Sequence, residues 1–470
     1  MQRVASFGIS VSIILYALFH FISYFFEHSL LPLFLPISGL GIFVFTIMKL
    51  RISHIKMPFG LMAVGIIIML ISGTSIQEGL MSGLVEMRNV IGLLVFVPMI
   101  SWVLQEESYI ESMMGFAHHL LDTSRKFYFG LVSFTQVIAY FLLFGSIIMM
   151  YQLVNMILKN GKGEAWENYK GTALLRGFSL SVMWVVSIPS FAYVVEVMGA
   201  SLGLSIIQGF GLAICGVIIA LIFSHFEEKK YGVNLTAGLQ TEIDDVVRHT
   251  SDKKEMHQNV IEFFILFATL FGSILILQRF VNIELLVLIS VIVILWIMIY
   301  YIYKNRPKKL VNELGRYIQY DMEKQGYQLC IMLGAGVLIY ALNQTSFAKT
   351  FVDGIYSLQE ALPFLNILYF LPFIIIILGF FGLGPLTVMV LVAGILESIN
   401  LPYPPELIVL TVTSGSAISI LLSPLIMPLI VLSGANGLSA IKNGIAFNWK
   451  YALVIYAMVQ VYVQVSVWFS

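Results

Sequence analysis

Two apolar segments of the chain, 235 residues apart, carry small hydroxyl residues, a proline and a glycine at the same spacing. Segment 179–201 begins Ser-Leu-Ser and segment 414–436 begins Ser-Gly-Ser. In each, a proline follows ten residues after the first serine and a glycine follows ten residues later. Inside a membrane, an interrupted helix survives only where protein or a water-filled cavity satisfies the freed backbone groups, and many secondary transporters form one binding site from two such helices. The pair therefore predicts a transporter, with proline-kinked helices whose serines bond back to the backbone as the alternative.

An opened helix supplies backbone carbonyls for a cation such as sodium. The amino end of its second half supplies N–H groups and a positive dipole for an anion. The predicted substrate- and ion-binding residues are Ser179, Ser181, Ser187, Pro189, Ser190, Glu196, Thr413, Ser414, Gly415, Ser416, Ser419, Pro424 and Asn436. No cofactor is predicted beyond a coupling sodium ion or proton.

Two charged residues lie in or beside the first segment. Glu196 stands in the run Tyr-Val-Val-Glu-Val-Met, where a charged carboxylate is costly. We expect it to face a cavity and to carry a proton or cation, with a place near the lipid headgroups as the alternative. Arg176 is expected to extend to the membrane surface, with bidentate binding of an anionic substrate as the alternative.

Signals for catalysis are weak. His118 and Asp122 have the spacing of metal ligands on a helix, but Arg125 and Lys126 would repel a cation, which favours an amphipathic segment at the membrane surface. The chain lacks the Walker A lysine motif, the nucleophile elbow and the zinc-protease motif. We therefore expect no enzyme. The alternatives are a membrane-embedded enzyme acting on lipid-linked substrates and a non-transporting membrane subunit of a larger assembly.

Composition places the chain in a membrane. Of its 470 residues 59% are apolar and 11% are charged, against about 25% charged in ordinary soluble domains, and the mean hydropathy is +0.92. A formal net charge of zero argues against nucleic-acid binding. The two cysteines, Cys215 and Cys330, lie in apolar helices and predict no disulfide framework.

The hydropathy pattern predicts an all-α polytopic membrane protein with two inverted repeats and broken transmembrane helices. Apolar windows long enough to span lie near 5–25, 31–49, 58–74, 87–104, 127–158, 203–225, 259–278, 283–303, 327–344, 362–382 and 449–469. Segments 105–126 and 346–361 are candidate re-entrant hairpins. The most basic loop, 304–325, is expected in the cytoplasm.

The predicted organisation has five parts. They are the N-terminal helices 1–57, a first repeat 58–225, a polar linker 226–258, connecting helices with the basic loop 259–325, and a second repeat 326–470.

From about residue 58 to 470 the chain resembles the ion-transporter superfamily in architecture. The runs 178–181 (Phe-Ser-Leu-Ser) and 413–416 (Thr-Ser-Gly-Ser) occupy the places of that family's Ser-Asn-Thr motif, without its asparagine. Locally, 382–387 (Gly-Leu-Gly-Pro-Leu-Thr) with Gly415-Ser416 and 420–422 (Ile-Leu-Leu) is similar to the large membrane subunit of tripartite tricarboxylate transporters. The resemblance implies a carboxylate-handling permease, and for the elevator-type families a homodimer.

Together these patterns predict a multi-pass protein of the inner or plasma membrane that moves a small anionic solute, such as a carboxylate, coupled to sodium or protons. Its expected partners are that solute, the lipid bilayer and a second copy of the chain, and no nucleic acid.

Overall fold

The computed structural model describes residues 2–26, 31–50, 55–109, 112–113, 123–158, 161, 163–231, 253–347, 350, 353–354, 357, 366–399 and 401–469. These residues form an all-α polytopic membrane protein, as predicted. Among them, eight helical stretches are long and apolar enough to cross a membrane. The candidate hairpins 105–126 and 346–361 lie largely outside the described residues.

The helices of the N-terminal part are α1 (Gln2–Phe25), α2 (Leu31–Lys49), α3 (Lys56–Ser72), α4 (Ile76–Glu86), α5 (Arg88–Phe96) and α6 (Ile100–Leu104). Those of the middle part are α7 (Ser124–Leu142), α8 (Gly145–Ile157), α9 (Glu164–Ser181), α10 (Pro189–Val197), α11 (Leu202–Tyr231), α12 (Lys253–Phe280) and α13 (Leu285–Tyr303). Those of the C-terminal part are α14 (Pro307–Arg316), α15 (Met322–Asn343), α16 (Ile367–Phe380), α17 (Pro385–Leu396), α18 (Pro405–Leu422), α19 (Met427–Asn436) and α20 (Phe447–Phe469).

The chain folds into two compact units, each built from separate stretches. Unit 1 comprises Met1–Met99, Gln278–Asn366 and Val390–Leu401, and unit 2 comprises Ile100–Leu277, Ile367–Met389 and Pro402–Ser470. The predicted repeats 58–225 and 326–470 each contribute residues to both units.

In unit 1, α15 packs against α3 and α4 through small residues. A Cβ at Gly336 would lie 2.4 Å from the carbonyl oxygen of Gly83, and a Cβ at Gly65 would lie 3.1 Å from the backbone of Leu338. Glycine at these crossings lets the helix backbones approach closely, as is common between membrane helices.

Two predicted boundaries are wrong. The apolar window 127–158 is divided between α7 and α8, where Leu143 has a φ of 49°. A leucine rarely adopts this conformation, and the window contains no proline to indicate it. The predicted basic loop 304–325 is mostly helical. Pro307 begins α14 at a position where its missing N–H costs nothing, and α15 begins at Met322.

Within the predicted polar linker 226–258, α11 continues to Tyr231 and α12 begins at Lys253. Its central residues, 232–252, lie outside the described part of the chain.

The five helices α7 to α11 and the five helices α16 to α20 end at similar intervals along the chain. Their C-terminal ends lie 238 to 241 residues apart, from Leu142 and Phe380 to Tyr231 and Phe469. The serine and proline motif, spaced at 235 residues, is therefore three to six residues out of register with the helix ends. Pro189, the first residue of α10, corresponds to Pro428, the second residue of α19, and not to Pro424.

Candidate functional site

Both predicted breaks are present in unit 2, and the two broken helices run antiparallel. Near one end, the Ser201 N–H donates to the Glu406 carboxylate at 2.9 Å, which joins the end of α10 to the start of α18. Near the other end, a Cβ at Gly171 of α9 would lie 3.4 Å from Leu432 and 3.8 Å from Asn436 of α19. Since α9 and α10 also pack against α18, the two breaks lie at about the same level along the pair.

The first interruption, residues 182–188 between α9 and α10, is wholly buried. The Ser181 carbonyl accepts hydrogen bonds from the N–H groups of Trp184 (3.2 Å) and Val185 (2.9 Å), so α9 ends in a tight turn. Pro189 then starts α10 with a preset φ. Proline and turn together account for the break.

Three backbone N–H groups at this break have no hydrogen-bond partner among the described residues. They belong to Val186, Ser187 and Ser190, which are 0%, 0% and 3% exposed. A buried N–H without a partner is costly and rare. Because all three precede or begin α10, they lie at the positive end of its dipole. The arrangement can bind an anion or a polarised carbonyl oxygen.

Helix α11 contacts the first interruption more closely than any side chain would permit. A Cβ at Gly209 would lie 1.9 Å from the Met183 carbonyl oxygen and 3.3 Å from the Trp184 Cβ. Glycine at this position therefore allows α11 to cross directly over the break.

The second interruption, residues 423–426 between α18 and α19, differs from the first in exposure. The Ser423 N–H bonds to the Ser419 carbonyl at 2.9 Å, and the Ser423 hydroxyl donates to the Gly379 carbonyl at 2.7 Å. Beside them, Leu425 and Met427 are 54% and 53% exposed within the described chain. Pro424 lies in this turn and not at the start of α19.

Most of the predicted serine and threonine ligands are bonded to backbone carbonyls. The four that lie within α9 and α18 bond to the carbonyl three residues earlier, which is usual inside helices and matches the alternative given above, whereas Ser187 bonds across to α7. The acceptors are the carbonyls of Arg176 for Ser179 (2.9 Å), Phe178 for Ser181 (2.6 Å), Tyr140 for Ser187, Leu410 for Thr413 (3.1 Å) and Thr411 for Ser414 (2.9 Å).

Ser416 differs from Thr413 and Ser414 on the same helix, whose hydroxyls bond to backbone carbonyls. Its side chain is fully buried, and its oxygen has no hydrogen-bond partner among the described residues. By the register of the antiparallel pair, Ser416 lies at about the level of Ser190 and the start of α10. It is therefore a buried hydroxyl without a partner at about the level of the unpaired N–H groups.

Gly415 and Ser419 serve the packing of α18 against α16. A Cβ at Gly415 would lie 2.7 Å from the Pro372 Cα, and a Cβ at Gly379 would lie 2.0 Å from the Ser419 hydroxyl. Gly415 and Ser419 therefore have a structural role, because they let α16 and α18 approach closely.

Arg176 is fully buried in unit 2, so the expectation that it extends to the membrane surface is wrong. Its guanidinium donates to Glu227 (2.7 Å), to the Tyr128 hydroxyl (3.0 Å) and to Asn448 (3.0 Å), and it lies 4.7 Å from the ring centroid of Tyr451. A buried charge with this many partners is satisfied within the protein. Arg176 is therefore occupied by an internal ion pair.

Asn436 belongs to a polar cluster that continues from Arg176. The Asn436 and Asn443 side chains exchange hydrogen bonds of 2.8 and 3.0 Å, and the Asn448 amide donates to the Asn443 carbonyl at 2.8 Å. Asn448 in turn accepts from Arg176. The cluster ties the end of α19 to α9 and α20.

Glu196 lies in the last turn of α10, beyond the first interruption, and is partly exposed. Its expected role as a proton or cation carrier stays a prediction. His118 and Asp122 lie outside the described residues, and within the described part no group of three or more histidine, cysteine, aspartate or glutamate side chains is arranged to hold a metal ion.

Sequence reasoning missed the residues that hold α9 in place. Lys170 is 2% exposed and donates to Asn155 (2.7 Å) and Glu167 (2.5 Å), and Arg176 has the partners given above. The available signal was two basic residues, six positions apart, just before a serine-rich break in an apolar chain. Such residues within membrane segments usually have protein partners.

No model of a known protein family matches this chain, and no curated protein matches it either.

Proposed function

We propose that the chain is a secondary active transporter that moves a small anionic solute, with carboxylates as the first class to test, coupled to sodium ions or protons. The observation that carries the proposal is the antiparallel pair of broken helices within unit 2. Antiparallel broken helices give a transporter backbone donors and acceptors deep in the membrane without exposing them to lipid. From the resemblance to the ion-transporter superfamily we further infer that the protein lies in the inner or plasma membrane and forms a homodimer.

The unpaired N–H groups of Val186, Ser187 and Ser190 support an anionic substrate. They would donate to the anion at the amino end of α10, with the Ser416 hydroxyl across from them. Arg176 is not assigned to the substrate, because Glu227 already neutralises it. In this proposal the backbone dipoles at the start of α10 stabilise the anion in place of a cationic side chain, as in transporters with discontinuous helices.

A cation would be held by the carbonyl oxygens of the same break. The carbonyls of Val182, Trp184 and Val186 accept no backbone hydrogen bond among the described residues. Sodium takes oxygen ligands of this kind in unwound transporter helices. A cation and an anion held a few residues apart would stabilise each other, which gives a physical basis for coupled transport.

Binding is tested first with the purified full chain. Thermal unfolding is followed with succinate, citrate, acetate, phosphate or sulfate, in sodium chloride and in choline chloride. A ligand that binds only the native state raises the midpoint with its concentration. We expect at least one anion to do so, and the same anion to enter vesicles that contain the protein. Failure of every anion in both assays, with protein that remains folded, would overturn the proposal.

A further inference from the structure

Unit 2 contains a second feature, separate from the unpaired N–H groups. A cavity of about 670 Å³ lies between α7, α11 and α12 and reaches the first interruption. Its inner wall includes Gln136 and Trp184, and the indole N–H of Trp184 donates to the Gln136 amide oxygen at 3.0 Å. The volume falls within the range of small-molecule sites, roughly 300–1,000 Å³.

At and beside the cavity, α12 contacts its neighbours through aromatic rings. Ring centroids lie 5.1 Å apart for Tyr140 and Phe267, 5.4 Å for Phe141 and Phe263, and 6.5 Å for Trp184 and Phe271. Phe267 and Phe271 of α12 and Trp184 also line the cavity, so aromatic rings form part of its wall.

The mouth of the cavity is continuous with the apolar outer surface of unit 2. Phe129, Phe210, Ile214 and Ile218 line it and are 50%, 45%, 47% and 53% exposed. Helices α11 and α12 are both long and apolar enough to span a membrane. In a bilayer the medium at such a surface is hydrocarbon.

The lining selects the occupant by its chemistry. None of the residues that line the cavity is charged, and its polar groups are Ser133, Gln136 and the Trp184 indole. An apolar void of this size would forfeit contacts on every wall, whereas a hydrocarbon chain entering from the side would fill it without dehydrating a charge. We propose that one acyl chain of a membrane phospholipid occupies the cavity and packs against Trp184.

Because Trp184 belongs to the first interruption, the acyl chain would contact the break itself. The Trp184 Cβ also lies beside Gly209, where α11 crosses the break. A lipid at this site therefore supports the conformation of residues 182–188 from the membrane side. The proposal concerns lipid binding and does not depend on the transported solute.

Fluorescence quenching tests the site. The full chain has six tryptophans, and three variants each keep one of them, with the other five replaced by phenylalanine. Trp184 is 6% exposed, Trp102 is 4% exposed and Trp468 is 81% exposed. Each variant is placed in phosphatidylcholine vesicles whose acyl chains carry bromine at mid-chain, and in unbrominated vesicles.

Bromine quenches at short range, so a buried tryptophan is protected unless an acyl chain reaches it. We expect Trp184 to be quenched much more strongly than Trp102, although both are buried. Adding Ile206→Phe, which fills the cavity, should reduce quenching of Trp184. The control is Ile207→Phe, since Ile207 is 68% exposed and does not line the cavity.

Equal, weak quenching of Trp184 and Trp102 would overturn the proposal and indicate a cavity that is closed or filled by something other than a phospholipid chain. Quenching of Trp184 that is unchanged by Ile206→Phe would overturn it as well. If the single-tryptophan variants do not fold, the natural chain is compared with Trp184→Phe alone. The proposal then requires the quenched fraction of the fluorescence to fall in that variant.

Discussion

Ser416 is the residue at which binding and packing make opposite demands. A buried hydroxyl without a partner lowers the stability of the native state, yet by the helix register Ser416 lies at about the level of the unpaired N–H groups at the start of α10. Its neighbour Ser414 bonds to the Thr411 carbonyl at 2.9 Å. The two serines therefore form a matched pair, two residues apart on one helix, in which one hydroxyl is free to meet a ligand.

The first prediction concerns this pair. Ser416→Ala should weaken the apparent affinity for the transported anion by about tenfold, the value of one hydrogen bond of about 1–1.4 kcal/mol. Its thermal midpoint should equal that of the natural chain or exceed it, because no bonded group is lost. Ser414→Ala should leave the affinity unchanged. Concentration-dependent uptake into vesicles measures both. Equal affinities in the two variants would remove Ser416 from the site.

The second prediction concerns the Arg176–Glu227 pair. Arg176→Met leaves a carboxylate without its partner and should lower the free energy of unfolding by about 3–5 kcal/mol. Adding Glu227→Gln should recover part of that loss, because the unpaired charge is removed. Chemical unfolding in detergent micelles, monitored by fluorescence, gives both values.

Uptake separates a structural Arg176 from one that binds substrate. We expect the double variant to retain anion uptake, since both charges are absent and the α10 N–H groups remain. A double variant that is stable but unable to take up the anion would show that Arg176 acts on the substrate.

At the scale of elements, the contact of α11 with the first interruption determines where the break can lie. The third prediction is that Gly209→Ala destabilises the protein and reduces uptake, because the new Cβ would lie 1.9 Å from the Met183 carbonyl. Gly211 is two residues away on the same helix and has open space around it. Gly211→Ala should be neutral or stabilising by up to about 1 kcal/mol, the helix propensity difference.

Thermal midpoints of the two glycine variants in one detergent provide the measurement. A midpoint for Gly209→Ala as high as that for Gly211→Ala would mean that α11 does not cross the break as closely as described. The comparison cancels the intrinsic effect of replacing glycine by alanine in a helix.

The breaks were predictable from sequence, but their register was not. Proline and small residues inside an apolar run indicate an interruption wherever they occur, and both helices are indeed interrupted. The exact helix ends depend on packing: α18 continues past Ser416 to Leu422, with Gly415 and Ser419 packed against α16, whereas α9 ends at Ser181 where α11 crosses. The spacing of serines and prolines therefore gave 235 where the helix ends give 238 to 241.

Residues whose partners are distant in sequence could not be assigned. Glu227 lies 51 residues from Arg176, within the predicted polar linker 226–258. Only the fold, which brings the end of α11 beside α9, shows that the two charges neutralise each other. The same holds for the unpaired N–H groups, since a sequence does not indicate which backbone groups lack partners.

At the scale of the whole molecule, hydropathy alone was sufficient for the fold class. A chain with 59% apolar residues cannot bury them all in one water-soluble core, and the eight long apolar helices of the described residues confirm the all-α membrane class. The division into two units was not predictable, because each unit combines stretches from distant parts of the chain. That division depends on side-chain packing between helices, which hydropathy does not encode.

The fourth prediction is that uptake of the anion follows an ion gradient. A tenfold inward sodium gradient stores about 1.4 kcal/mol, enough for about tenfold accumulation per coupled ion in an electroneutral cycle. An imposed potential of about 100 mV would add about 2.3 kcal/mol for each net charge moved.

Uptake is measured in protein-containing vesicles with a sodium gradient, a proton gradient or neither. One gradient should raise the anion above its external concentration, and an ionophore for that ion should abolish the excess. If the anion only reaches its external concentration under all three conditions, the protein is a channel or a facilitator. Such a pathway through the broken helices does not couple anion movement to the free energy of an ion gradient.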